Sequence, residues 1–223
     1  MSQEAKFSDI LASSVHDLKN SLQIVRSLIK TLALEYANLE RPEFRVLDFE
    51  TARMNSCVMQ LLILYRLDAS HFKPLLEECR VLDILEEVGC QQSLQIQLRQ
   101  ISFTVECCDD LFCFCEDTLI NTVLVSIVNN ALRYCRQAIR LSGRQQDDYV
   151  CLCIEDDGPG FSSGIMAGTQ GVKSSELEKG NTGLGLHFAS TIAELHSQGQ
   201  RRGFVVIDNE STLGGARFSL FLP

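Results

Sequence analysis

The chain has 223 residues, 45% of them apolar and 22% charged, and its 20 Lys+Arg against 29 Asp+Glu leave a net charge of −9. An acidic chain is repelled by phosphate backbones and anionic lipid, which excludes bulk nucleic-acid and membrane-surface binding. Apolar runs such as Leu61 to Leu64 fall far short of the roughly 20 residues of a spanning helix, and the polar N-terminus has no signal-peptide core, so we expect a cytoplasmic protein that inserts in no membrane and binds no nucleic acid.

Glycine divides the chain. None of the 14 glycines precedes Gly89, and residues 1–74 carry nine Lys+Arg against nine Asp+Glu, so all of the net charge falls on the remainder. Two domains are expected, 1–74 and 75–223, with Pro42 and Pro74 as breaks because proline cannot continue a helix interior. In the first, Leu11, Val15, Leu18, Leu22, Val25, Ile29 and Leu32 step by four then three, an a/d heptad seam. After Pro42 a second run follows: Phe44, Leu47, Thr51, Met54, Val58, Leu61 and Tyr65. Two long helices joined by a turn at Leu39 to Glu43 make a hairpin. A hairpin cannot enclose a core alone; pairing two of them buries both seams in a four-helix bundle, so a homodimer is expected. Packing against the second domain is the alternative.

From Arg80 onward the texture changes. Val81 to Leu98 has a helical pattern; Ile101 to Cys107 and Leu111 to Cys115 alternate like strands; Glu116 to Tyr134 is a long helix with Leu119, Val123, Ile127, Asn130 and Tyr134 along one side. Ala138 to Ser142 and Tyr149 to Glu155 are strands, Asp157 to Thr182 is a Gly/Ser-rich loop, Leu184 to His196 is a helix, and Gly203 to Asp208 and Ala216 to Leu222 close the fold around a Gly214-Gly215 turn. Helices and strands mix without strict βαβ alternation, which favours an α+β sandwich. The ten cysteines show no C-x-x-C pair and are expected to be reduced, small buried hydrophobes.

Three places carry chemistry. In the heptad register His16 occupies a b position, projecting from a rigid helix, with Asp17 next to it and Asn20 one turn on. A carboxylate that accepts the Nδ1 proton and orients the ring suits an imidazole to nucleophilic attack. Asp156-Asp157-Gly158-Pro159-Gly160 follows an apolar strand, and a carboxylate at a strand end can accept a hydrogen bond from an exocyclic amine such as adenine N6. Gly180-Asn181-Thr182-Gly183-Leu184-Gly185-Leu186 opens a helix, whose free N–H groups and positive dipole end suit phosphate. His71, His187 and His196 are expected to be surface or packing residues, and Asp109-Asp110 and Asp147-Asp148 solvated turns.

Taken in order, these segments resemble the two-component sensor histidine kinases, without a sensor domain. His16-Asp17-Leu18-Lys19-Asn20 is similar to the H-box of the dimerisation and phosphotransfer hairpin. The segment Ser126-Ile127-Val128-Asn129-Asn130-Ala131-Leu132-Arg133-Tyr134 is similar to the N-box, Asp156 to Gly160 to the G1 box, and Gly183-Leu184-Gly185 to the G2 box of a GHKL (Bergerat) ATP-binding sandwich. The resemblance implies that His16 is the phosphoacceptor, Asp17 its general base, and Asn20 the residue that positions water for dephosphorylation of the partner. It further implies that Asn130 binds Mg²⁺ bridging the ATP phosphates, Arg133 faces the phosphates, and Tyr134 packs on adenine. Asp156 would read adenine N6, Gly158 and Gly160 would allow close approach, and Thr182 to Gly185 would cradle phosphate.

The implied partners are a second copy of the chain, the receiver domain of a response regulator and, since nothing in the chain looks like a sensor, a separate sensor protein. Ser126 stands where the family usually has Asn, Ser21 where many H-boxes have proline, and Ala216 where a threonine often reaches the nucleotide. Phe161 to Lys179 is short and lacks a Phe-x-x-Phe element. These departures leave open a histidine phosphotransfer protein or scaffold with a degenerate ATP-binding domain. A GHKL serine kinase is the third reading; it leaves the H-box and heptad hairpin without a purpose.

Overall fold

The computed structural model describes residues 20–22, 24–25, 27–28, 31–32, 42–69, 74–168 and 184–223. The chain divides into two compact units, Met1–Phe72 and Lys73–Pro223.

In the first unit, residues 20–22, 24–25, 27–28 and 31–32 are helical (α1), and Pro42–Ala69 forms a 28-residue helix (α2). Proline at the first position of α2 costs no hydrogen bond, since the first N–H groups of a helix have no internal partner. Along α2, Leu47, Met54 and Leu61 remain about half exposed while Thr51 and Gln60 are buried. Val25, Leu28 and Leu32 of α1 are likewise exposed. No described helix is long and apolar enough to cross a membrane.

In the second unit the elements run β1 (Glu77–Arg80), α3 (Val81–Leu98), β2 (Ser102–Cys107), β3 (Phe112–Cys115), α4 (Asp117–Tyr134), β4 (Ala138–Gln146), β5 (Tyr149–Asp156), α5 (Ser163–Gly168), α6 (Leu184–Leu195), β6 (Ser197–Gln198), β7 (Arg201–Arg202), β8 (Phe204–Asp208) and β9 (Arg217–Leu222). Five strands form one sheet in the order β2-β4-β5-β9-β8. Only β2 and β4 pair in parallel; the other neighbours are antiparallel. Helices α3, α4 and α6 pack on this sheet and on one another, so the architecture is a helix layer over a mixed sheet.

Burial explains the sequence texture. Strand β5 lies mid-sheet and is buried along almost its whole length, which is why it is a continuous apolar run rather than an alternating one. The largest buried side chains, among them Phe188, Phe218, Leu124 and Ile192, fill the space between helices and sheet. On the other face Phe204 and Phe221 stack at 4.5 Å, and Tyr149 meets Phe204 edge-on at 5.2 Å. All ten cysteines are free thiols, five of them buried; burial pushes the Cys135 and Cys151 thiols up to about 11, so neither is a thiolate at neutral pH.

Two readings change in detail. The loop expected from Asp157 contains a short helix, α5. Of the expected α4 stripe, Leu119, Val123 and Ile127 are buried, but Asn130 and Tyr134 are exposed. The last turns of α4 stay against the core through Val128, Ala131 and Leu132, and present Asn130, Arg133 and Tyr134 on the outer side. His196 is fully buried: its Nε2 accepts the Glu116 N–H at 3.1 Å, and Nδ1 lies 2.7 Å from the Ile192 carbonyl. An accepting Nε2 places the proton on Nδ1, and burial pulls the ring below its ordinary range.

Candidate functional site

Asp156 ends β5, and everything around it is arranged by backbone. Its Oδ1 accepts the Gly158 N–H at 2.7 Å and the Ala216 N–H at 3.3 Å. Its own N–H donates to the Ala216 carbonyl at 3.0 Å, and its carbonyl accepts the Ser211 hydroxyl at 3.0 Å. Among the described residues both side-chain hydrogen bonds fall on Oδ1, which leaves Oδ2 as an acceptor for a ligand. Burial raises the Asp156 carboxyl above the ordinary carboxylate range, against the pull of the Gly158 and Ala216 amides.

The glycines around it make room for the protein's own backbone. A Cβ on Gly158 would stand 2.7 Å from the Tyr134 carbonyl oxygen and 2.8 Å from Asp156 Oδ1. A Cβ on Gly215 would stand 2.4 Å from the Gly158 nitrogen and 2.5 Å from the Asp156 carbonyl oxygen. Gly160 adopts a positive φ of 80°, a conformation that costs a side chain dearly. Beyond it, Asn209 grips the next residue as a strand would, accepting the Phe161 N–H at 2.7 Å and donating to its carbonyl at 3.0 Å. Asp157 joins this loop to the end of α4: its carboxylate accepts the Arg136 N–H at 2.7 Å and the Gln137 N–H at 2.9 Å. Burial acts to raise the Asp157 carboxyl, but those amides hold it below the ordinary range.

Helix α6 begins beside the same face of α4. A Cβ on Gly185 would stand 3.3 Å from Ser126 Oγ and 3.8 Å from Asn130 Nδ2. The guanidinium of Arg133 lies 5.3 Å from the Tyr134 ring centroid. The structure thus gathers the end of α4, the Asp156–Gly160 loop, the Ser211–Ala216 loop and the start of α6. Asn130, Arg133, Tyr134, Asp156, Gly158, Gly160, Leu184 and Gly185 all lie on these segments. His16, Asp17, Thr182 and Gly183 lie outside the described residues; Asn20 is exposed on α1.

Two members of the cluster had no motif of their own. Ser211 and Gly215 hold Asp156 and its loop, and the doubled glycine before the last strand was their only trace in the sequence; Asp157 lay inside the Asp156–Gly160 motif, but its tie to Arg136 and Gln137 did not show there. Glu155, on the opposite side of β5 from Asp156, is 5% exposed and fully engaged. Its Oε1 accepts the Thr212 N–H at 2.8 Å, and its Oε2 accepts Arg140 Nη2 at 2.6 Å and Nε at 3.1 Å.

Residues 115–223 match the family model described as histidine kinase-, DNA gyrase B-, and HSP90-like ATPase. Over 217 residues the chain is 25% identical to the virulence sensor histidine kinase PhoQ of Salmonella typhimurium, a match covering 96% of this chain and 43% of that protein. The sensor protein PhoQ of Escherichia coli K12 is 25% identical over 218 residues, with the same coverage of 96% and 43%. The chain therefore spans less than half the length of these curated relatives. Among solved structures, full-length ShkA in complex with AMPPNP is similar with a TM-score of 0.66 at 20% identity, over 96% of this chain and 45% of that one. The histidine kinase AdeS of Acinetobacter baumannii is similar with a TM-score of 0.60 at 18% identity, over 93% of this chain and 96% of that one. At these identities the structural likeness speaks to the fold.

Proposed function

We propose that this chain, whose residues 115–223 match the histidine kinase-, DNA gyrase B-, and HSP90-like ATPases, is a two-component, ATP-dependent protein histidine kinase that phosphorylates itself on His16 and passes the phosphoryl group to an aspartate of a response-regulator receiver domain. The observation that carries the reading is Asp156: a buried carboxylate at a strand end, its Oδ1 fixed by two backbone amides and its Oδ2 left to accept an exocyclic amine. Adenine N6 is such a donor. The AMPPNP complex of the similar ShkA supports a nucleotide as ligand.

Each residue then has a task. Asp156 orients the base, and Tyr134 offers a half-exposed ring to stack on it. Arg133 brings a cation to the phosphates. The start of α6, with Gly185 close to α4, offers backbone amides to the same anion; Thr182, Gly183 and Leu184 complete that cradle, and Gly158 and Gly160 shape the base side. The oxygen of the exposed Asn130 amide is a hard donor, which fits Mg²⁺ sharing its remaining ligands with phosphate and water. Bound there, Mg²⁺ supplies charge neutralisation. In the transfer, Nε2 of His16 forms a bond to the γ-phosphorus while the bond to the β,γ-bridging oxygen breaks and ADP leaves with that electron pair; Asp17 accepts the Nδ1 proton. Transfer to the receiver aspartate forms a P–O bond, breaks the P–N bond and restores the imidazole. Asn20 positions water for dephosphorylation of that partner. Catalysis is chiefly positioning and charge compensation.

The apolar stripes left exposed on α1 and α2 support burial against a second copy, the four-helix bundle of a dimer. Incubation with γ-labelled ATP tests the reading: the wild type should gain acid-labile label and His16→Gln should gain none, with ATP binding retained. Label retained on His16→Gln would move the acceptor. The competing reading, a phosphotransfer scaffold with a degenerate nucleotide domain, draws on Ser126 in place of Asn; no binding of millimolar ATP by calorimetry, with and without Mg²⁺, would favour it.

A further inference from the structure

The two carboxylates that end β5 point to opposite sides of the sheet, and the second has a partner set that the proposed reaction does not use. Glu155 lies on the open face. It divides its oxygens: Oε2 accepts both Arg140 donors, and Oε1 accepts the Thr212 backbone N–H at 2.8 Å and the Thr212 hydroxyl at 3.3 Å. Arg140 also donates to the Thr212 hydroxyl and pairs with Glu106 at 3.7 Å. Thr212 sits in the loop whose other residues hold Asp156. Ser211 donates to the Asp156 carbonyl, and Ala216 donates to Asp156 Oδ1. Gly215 presses on Asp156 and Gly158 so closely that no Cβ fits. One short loop is therefore tied to Glu155 on the open face of the sheet and to Asp156 on the helix face.

We propose that the Arg140–Glu155 pair is a positioning clamp: by anchoring Thr212 it holds the Ser211–Ala216 loop in register, fixes Asp156 Oδ1, and so sets the preference of the site for adenine over bases lacking the exocyclic amine. The inference rests on the nucleotide reading above. Neither clamp residue touches the base; they act through the loop. The site's phosphate side, at α4 and α6, shares no hydrogen bond with the clamp among the described residues, so the effect is confined to base recognition.

Inosine triphosphate is the probe, because its base carries a carbonyl oxygen and an N1–H where adenine carries the exocyclic amine and a bare N1, while the ribose and triphosphate are the same. Calorimetry on the full chain compares ATP with inosine triphosphate for wild type, Glu155→Gln and Arg140→Gln. Wild type should prefer ATP. Glu155→Gln should lose about tenfold in ATP affinity, the worth of a hydrogen bond to a charged group, with inosine triphosphate affinity unchanged; Arg140→Gln should shift the ratio the same way by less. An unchanged ratio, or equal losses for both nucleotides, overturns the clamp while leaving ATP binding intact. Wild type binding neither nucleotide overturns the nucleotide reading and the clamp with it. If Glu155→Gln does not fold, Arg140→Gln, whose side chain is partly exposed, carries the comparison alone.

Discussion

Glu155 and Asp156 are neighbours in sequence and opposites in chemistry. Burial acts to raise both. For Glu155 the Thr212 amide and the Arg140 guanidinium reverse that effect and hold the carboxyl below its ordinary range. For Asp156 two amides on one oxygen do not, and it stays above. A buried carboxylate with every lone pair engaged is part of the scaffold; one held by a single oxygen has capacity left for something else. The contrast separates a structural acid from a recognition acid one residue apart.

The largest test is Asp156→Asn. The asparagine oxygen can still accept from Gly158 and Ala216, so the fold should survive with little change in melting temperature. The remaining position becomes an amide that faces another donor, and calorimetry should find ATP affinity lower by roughly 100-fold, the upper range for a hydrogen bond to a charged group. Undiminished affinity would mean that the base sits elsewhere. Gly215→Ala comes next. Its Cβ would meet backbone atoms at 2.4 and 2.5 Å, which have no flexible end to move, so urea unfolding should show a loss of about 1–3 kcal/mol.

Acidification sharpens the comparison further. Burial raises the Asp156 carboxyl, so its charged form is lost as pH falls through a point above the ordinary aspartate range, and ATP affinity should fall with it. Its protonation also relieves a cost of burying charge. Glu155 has a lowered value, so the stability it contributes is present above the unfolded-state value of 4.5 and is lost as pH falls through its folded value below that. ATP binding should therefore weaken at a higher pH than the one at which the domain unfolds. Coincident transitions in calorimetry and circular dichroism would erase the distinction. The smallest effect is expected at Arg201→Ala, which removes a solvent-exposed pair to Asp148 at 3.2 Å; chemical denaturation should register no more than about 0.5 kcal/mol.

The elements were legible where local pattern decides them. Val81 to Leu98 is a helix with the bounds its periodicity implies, and the strand ending at Asp156 stood out because β5 is apolar on both sides. The outward placement of Asn130 and Tyr134 was hidden, because both keep the helical spacing of Leu119, Val123 and Ile127, while the buried contacts of that last turn come from Ala131 and Leu132. The support of the candidate site was also hidden. Glu155 and Thr212 are 57 residues apart, and Asn209 and Phe161 are 48 apart. Such pairs leave no spacing to read. Glycines announce that something is crowded, not what crowds them: Gly158 faces the Tyr134 carbonyl and Gly215 the Gly158 nitrogen.

The enclosed imidazole of His196 has a bearing on how labelling is interpreted. A phosphoramidate forms only on a ring nitrogen with a bare lone pair that an incoming phosphorus can reach. In His196 one nitrogen is spent on the Glu116 amide and the other carries the hydrogen facing Ile192, with no surface open to solvent. Of the chain's four histidines, this one is thereby chemically silent, so any phosphohistidine surviving the loss of His16 has to be traced to His71 or His187.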